Sequence, residues 1–200
     1  VESMPFRKRT VIRPKFLSNR SLEPLYNVAD ILRAFQRIQS VHADAELDVV
    51  GDGPLRAELE ALSVSLGLRN VRFAGAVPLD DMKAFYDAND VYLNTPVIDN
   101  MPNSIIEAFA AGIPVVTSDA GGIPYIVRHG ENGLLVPSGD FAALATAALD
   151  VVANPDEASR RVDCAWQEAV TRYCWNAVRL GWRGVYLSHE VTAATAVATA

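Results

Sequence analysis

The chain has 200 residues, of which 50% are hydrophobic and 21% charged, the balance of a globular protein able to bury a core of about one domain. Its formal net charge of −6 argues against a nucleic-acid duplex or an anionic membrane surface as main partner, because both call for a basic patch. Cys164 and Cys174 lack the spacing of a disulfide framework, His42, His129 and His189 do not cluster as metal ligands, and no signal-peptide head or spanning apolar run occurs.

We therefore expect a soluble protein of a reducing, cytoplasmic compartment. The opening Val1 leads to the expectation that the chain starts partway through a longer protein. Arg7, Lys8, Arg9, Arg13, Lys15 and Arg20 make the first stretch the most basic one. A charge run of this kind reads first as a solvated arm or strand, with a phosphate-attracting surface as the alternative.

Short β-rich runs then alternate with helical patterns, the arrangement of a parallel sheet covered on both faces. The strands are expected at Val11–Leu17, Ala45–Val50, Val71–Ala74, Val91–Asn94, Pro114–Thr117 and Leu134–Val136. Ala29, Ile31, Leu32, Phe35 and Ile38 recur at helical spacing, and Leu55–Leu66 repeats the pattern. A shorter helix spans Asp80–Ala88 with Asp80 as N-cap, and an apolar one spans Ile105–Ala111 up to the stop at Gly112. Beyond Pro137 the pattern is helical, over Phe141–Val152, Glu157–Arg172 and Trp175–His189, with Trp166, Trp175 and Trp182 read as packing residues. Val191 to Ala200 contains only Ala, Thr and Val and reads as a frayed, disordered tail after a domain of residues 1–190.

In such a sheet ligands meet the carboxyl ends of the strands, where loops lead into helix N-termini. Ser18-Asn19-Arg20-Ser21 offers an Arg able to grip a phosphate in two places. Gly51-Asp52-Gly53-Pro54 reads as a tight turn, and it is neither a dinucleotide fingerprint nor a P-loop. Gly75-Ala76-Val77-Pro78 presents backbone without bulk, suited to a flat base or to a plain turn. Gly121 and Gly122 permit close approach of backbone to a ligand, although a turn alone also accounts for them.

The most informative exit runs from Asp99 through Asn100, Met101, Pro102, Asn103 and Ser104 to Glu107. One carboxylate stands in the loop and the other about a turn inside an apolar helix. The helix start offers amides to an anion, and Glu107 is an acceptor suited to vicinal hydroxyls. A buried Glu in such a helix needs a partner, so pairing with Arg or backbone is the competing reading.

Taken together, VVGDGPLRAELEALSVSLGLRNVRFAGAV, DNMPNSIIEAFAAGIPVVTSDAGGIPYIV and GENGLLVPSGD resemble the C-terminal domain of retaining, family 4 type glycosyltransferases of the two-domain GT-B architecture, over roughly Ser18 to Leu149. The resemblance implies a Rossmann-like α/β fold and a nucleotide-diphosphate sugar as bound donor, with no metal and no other cofactor. It also implies an acceptor-binding N-terminal domain elsewhere in the full-length protein, through which peripheral membrane contact would arise. It assigns Asp99 to the transferred sugar and Arg20 to the diphosphate as catalytic residues. Glu107 goes to the ribose, the backbone of Gly75, Ala76 and Val77 to the base, and Asn100, Met101, Asn103 and Ser104 to the sugar and diphosphate. Gly53 joins the donor-binding set.

Three positions depart from the family pattern. Asp99 is one methylene shorter than the usual Glu. Leu25-Tyr26-Asn27 stands where a Lys usually follows the Arg, and Tyr125 stands where Glu is frequent. The missing Lys keeps a second reading in view, a nucleotide-sugar-binding or scaffold domain without catalysis. A phosphorylase, an epimerase or an NAD-dependent enzyme would need residues that are not found here.

Overall fold

The computed structural model describes residues 4–183, 185 and 186. Six parallel strands, β1 (Lys15–Asn19), β2 (Glu46–Val50), β3 (Val71–Gly75), β4 (Val91–Asn94), β5 (Val115–Ser118) and β6 (Leu134–Val136), form one sheet in the order β3-β2-β1-β4-β5-β6. The chain order reverses between β1 and β4, which leaves a crevice at their carboxyl ends.

Alternation along each strand divides the core in two. Phe16, Leu47, Val49, Val91, Leu93 and Val116 point to one face, while Leu17, Val50, Tyr92 and Val115 point to the other. The first face is covered by α1 (Val28–Val41), α2 (Arg56–Ser65) and α5 (Phe141–Ala153). The second is covered by α3 (Leu79–Ala88), α4 (Asn103–Ala111) and the later part of α6 (Pro155–Arg172). Alpha4 is buried nearly all round, as its composition predicts: Ile105, Ile106 and Ala108 to Ala111 are all in the interior.

Several expectations need correction. Alpha3 starts one residue early, with Pro78 at the N-cap (φ −57°, ψ 148°) and no side-chain cap. The proline fixes the helix start, so Asp80 falls inside the first turn, where its charge still favours the positive end of the dipole. The first strand begins at Lys15 and not at Val11, because the preceding residues are engaged elsewhere.

Those preceding residues form neither a solvated arm nor a phosphate surface. Arg7, Arg9 and Arg13 all bond the carboxylate of the buried Asp90, at 2.8, 3.1 and 2.6 Å. Arg9 also donates to the carbonyls of Tyr86, Asn89 and Gly112, clamping the C-terminal ends of α3 and α4 together. A cation at a helix C-terminus opposes the negative end of its dipole. Burial pulls the Arg9 pKa down to about 10.

Residues 175–183 are helical, as expected, while the remainder of the expected helix to His189 and the tail lie outside the described residues apart from Val185 and Tyr186. Trp166 packs on Phe6 with ring centroids 5.2 Å apart, but Trp175 and Trp182 are exposed rather than core residues. Among the described residues no helix is long and apolar enough to cross a membrane.

Candidate functional site

The crevice at the switch point is built from four strand exits. The loop after β1 is locked to the loop after β2 by bonds from Leu22 N to Asp52 O (3.0 Å) and from Leu55 N to Leu22 O (3.0 Å). That contact explains the glycines of the second exit. A Cβ on Gly51 would stand 2.1 Å from the Arg20 carbonyl oxygen, and one on Gly53 would stand 2.6 Å from that of Leu22. Gly53 thus packs backbone on backbone behind the crevice and is not part of its wall.

The loop after β4 is held from two sides. Val97 N donates to Leu25 O (2.9 Å) and Thr95 Oγ1 to Asn27 O (3.0 Å), so the short 3-10 turn Pro24–Tyr26 braces one flank. On the other flank Gly122 N donates to Asp99 O at 2.7 Å. A Cβ on Gly121 or Gly122 would lie 2.4 Å from Asp99 O or 2.2 Å from Asn100 O. The close approach that these glycines allow is to the acidic loop itself.

Two adjoining cavities open along this crevice. One, of about 430 Å³, is lined by Ala76, Val77, Leu79 and Met82 together with Arg20, Ser104 and Glu107. The second, of about 360 Å³, shares Asn19, Arg20, Ser21 and Ser104 with the first and continues to Tyr26, Asp99, Met101 and Asn103. Arg20 is the one cation among the described residues lining either cavity.

Arg20 is held at three points. Its guanidinium bonds Asp99 Oδ2 (2.5 Å) and Ser104 Oγ (3.1 Å) and lies 4.0 Å from the centre of the Tyr26 ring. Tyr26 therefore meets the arginine with its face. No side chain caps α4; the Ile105 amide donates to Pro102 O (3.1 Å), and Asn103 and Ser104 at the helix start line the second cavity.

Glu107 is half-buried and is not sealed against a structural arginine. Its Oε2 accepts a hydrogen bond from Tyr86 Oη at 2.9 Å, and Asn19 Nδ2 in turn donates to that phenol at 3.0 Å.

The expected residues are thus largely brought together: Arg20, Asp99, Met101, Asn103, Ser104, Glu107, Ala76 and Val77 all line the crevice. Gly75 does not. It is buried with φ +76° and accepts from Gly51 N, so it turns the chain toward Ala76 without lining the cavity. Asn100 sits on the outer side with Leu25 and Ile98, and Tyr125 is exposed away from both cavities. Sequence reasoning missed Asn19, whose place at the end of a strand was a usable signal, and Tyr86, which reads as one more apolar position of α3.

The sequence profile of the family described as Glycosyl transferases group 1 matches residues 13–154. The chain belongs to the group 1 glycosyltransferases. A phosphatidyl-myo-inositol mannosyltransferase of Mycobacterium leprae is 36% identical over 159 residues, covering 78% of this chain and 41% of that protein.

Among solved structures, Anabaena Alr3699/HepE in complex with UDP-glucose superposes with a TM-score of 0.80 at 23% identity, over 87% of this chain and 48% of that one. The C-terminal domain of a Francisella tularensis group 1 protein, LpcC, superposes with a TM-score of 0.74 at 16% identity, over 87% of this chain and 90% of that one. The chain spans about two fifths of the length of the curated relatives it matches. Its fold is the Rossmann-like C-terminal half of a GT-B glycosyltransferase.

Proposed function

We propose that this group 1 glycosyltransferase domain binds a nucleotide-diphosphate sugar in the switch-point crevice and presents it for transfer with retention of anomeric configuration. The acceptor is held by an N-terminal domain of the full-length protein, so the chain by itself binds donor and transfers little. The observation that carries this reading is that Glu107, Arg20 and the apolar residues Ala76, Val77, Leu79 and Met82 line one and the same cavity. In any nucleoside diphosphate the ribose lies between base and phosphates. A carboxylate that shares one cavity with an apolar wall and a phosphate-binding cation is therefore suited to the vicinal diol, which it bonds as acceptor.

The chemistry follows from charge. As the bond from the anomeric carbon to the diphosphate breaks, negative charge gathers on the leaving diphosphate. Arg20, once drawn from Asp99 to the diphosphate, and the start of α4 oppose that charge, each such donor being worth about 3–4 kcal/mol when preorganised. Asp99, in the second cavity, takes the hydroxyls of the sugar. We assign this role to protein groups, Arg20 and the start of α4, rather than to a bound metal. Cytoplasmic location and peripheral membrane contact through the N-terminal domain belong to the same proposal.

A calorimetric titration with UDP-, GDP- and ADP-sugars tests the reading. One of them is expected to bind, with affinity reduced at least about tenfold in Glu107→Ala. Binding by none of them at millimolar concentration, or unchanged affinity in the variant, contradicts it.

One observation favours a second reading. Arg20 is the single cation among the described residues lining the two cavities, and the residue stacked on it in the second cavity is the uncharged Tyr26. A binding or scaffold domain without catalysis predicts donor binding but no transfer in the full-length protein.

A further inference from the structure

Three elements meet behind Glu107: the end of β1 with Asn19, α3 with Tyr86, and α4 with Glu107 itself. Tyr86 is 1% exposed, and its hydroxyl lies 2.9 Å from Glu107 Oε2, 3.2 Å from Ser104 O and 3.0 Å from Asn19 Nδ2. A phenol has one proton to give. The charged acceptor at the shorter distance takes it, while the Asn19 amide fills a lone pair on the same oxygen. Burial, with the neighbouring Tyr92 and the Glu107 charge adding to it, pushes the Tyr86 phenol well above its usual value of 10, so it stays a donor at any working pH.

The consequence falls on the other oxygen of the carboxylate. Glu107 Oε1 accepts no hydrogen bond from the described residues, and Glu107 lines the cavity that Val77 and Arg20 also line, as well as a neighbouring one with Ile106 and Tyr173. A glutamate is a long side chain that samples several rotamers when nothing holds it. Fixing Oε2 removes that freedom before a ligand arrives and leaves Oε1 unengaged by the described residues.

We infer that Tyr86 is a positioning residue for the Glu107 carboxylate, and that through it the domain distinguishes a ribonucleotide from its 2′-deoxy counterpart. The inference rests on the proposed reading that Glu107 faces the ribose. Asn19 is the outer end of the relay, acting on Glu107 only through Tyr86.

The test uses whichever of UDP, GDP and ADP the 200-residue chain binds most tightly, together with the 2′-deoxy form of the same diphosphate. Affinities for the pair are measured by calorimetry in the wild type, Tyr86→Phe, Asn19→Leu and Glu107→Gln, with thermal midpoints to verify folding. The wild type is expected to prefer the ribonucleotide by about tenfold or more, the scale of one charge-assisted hydrogen bond. Tyr86→Phe should shrink that preference to about threefold or less while leaving affinity for the deoxy form within about twofold.

Asn19→Leu should lower the preference part-way, and it carries the test if the Tyr86 variant does not fold. A preference that falls in Glu107→Gln but persists in both relay variants overturns this inference and leaves the reading of Glu107 standing. A wild type with no preference, or one that Glu107→Gln does not change, overturns both.

Discussion

The Arg20 guanidinium and the Asp99 carboxylate form a direct ion pair, Nη2 to Oδ2 2.5 Å, with 10% and 15% of the two side chains exposed. In the free domain the single cation lining the crevice is therefore already engaged by one of its acids. A diphosphate arriving at Arg20 competes with Asp99, and it is also repelled by it. We predict that Asp99→Asn binds the bare nucleoside diphosphate more tightly, by about fivefold or ~1 kcal/mol. The same variant should lose part of the added affinity that the sugar moiety gives, since a neutral amide oxygen replaces the charged acceptor of its hydroxyls. Calorimetry with a nucleoside diphosphate and its sugar conjugate reads both effects.

The stack of Arg20 on Tyr26 gives a second prediction. A cation over an aromatic face at this depth is worth about 1 kcal/mol. Tyr26→Ala should weaken diphosphate binding by about three- to tenfold. Tyr26→Phe, which keeps the face and loses only the hydroxyl, should bind like the wild type. Equal losses in the two variants would show that the hydroxyl, not the ring, is what matters.

Much of this site was legible in the sequence, and the reasons differ residue by residue. The strands and the α4 helix follow from local periodicity, and the apolar run around Glu107 made its carboxylate conspicuous. The Arg20–Asp99 pair joins residues 79 positions apart through the meeting of β1 and β4, which no local pattern encodes. Arg7, Arg9 and Arg13 read as a solvated charge run because the sequence does not show that they converge on one buried aspartate. Tyr86 fits the apolar face of α3, so its one polar atom carries no signal until Asn19 and Glu107 are seen on either side.

The arginine cluster on Asp90 gives predictions about stability. Arg9→Met leaves the buried carboxylate short of a partner and frees the carbonyls at the ends of α3 and α4. The expected loss is about 3–5 kcal/mol, measured by urea denaturation. Burial alone would raise the Asp90 carboxyl, but hydrogen bonds from the Arg13 side chain and backbone, with the charges of Arg13 and Arg9, hold it below its usual value of 3.8. A carboxylate lowered in the folded state stabilises the fold above its unfolded pKa, and that contribution is lost as pH falls through the folded one. Arg13→Gln lets the folded value rise, so acid unfolding should begin at higher pH than in the wild type.

Gly122 tests the support of the acidic loop apart from its chemistry. Its φ of −87° suits any residue, so an alanine there is resisted only by the Asn100 carbonyl that its Cβ would meet. Gly122→Ala should shift the loop carrying Asp99 and lower donor affinity by about tenfold, with a stability loss of about 1–3 kcal/mol. Donor titration and thermal unfolding on the same sample separate the two effects.

A crystal structure of the chain with its preferred nucleotide sugar bound is the most direct test of the central claim. The account predicts the base against Ala76 and Val77, the ribose diol on Glu107 Oε1 with Tyr86 still on Oε2, and the diphosphate on Arg20 and the first amides of α4. A nucleotide seated elsewhere, with Glu107 untouched and Arg20 still closed on Asp99, would contradict it.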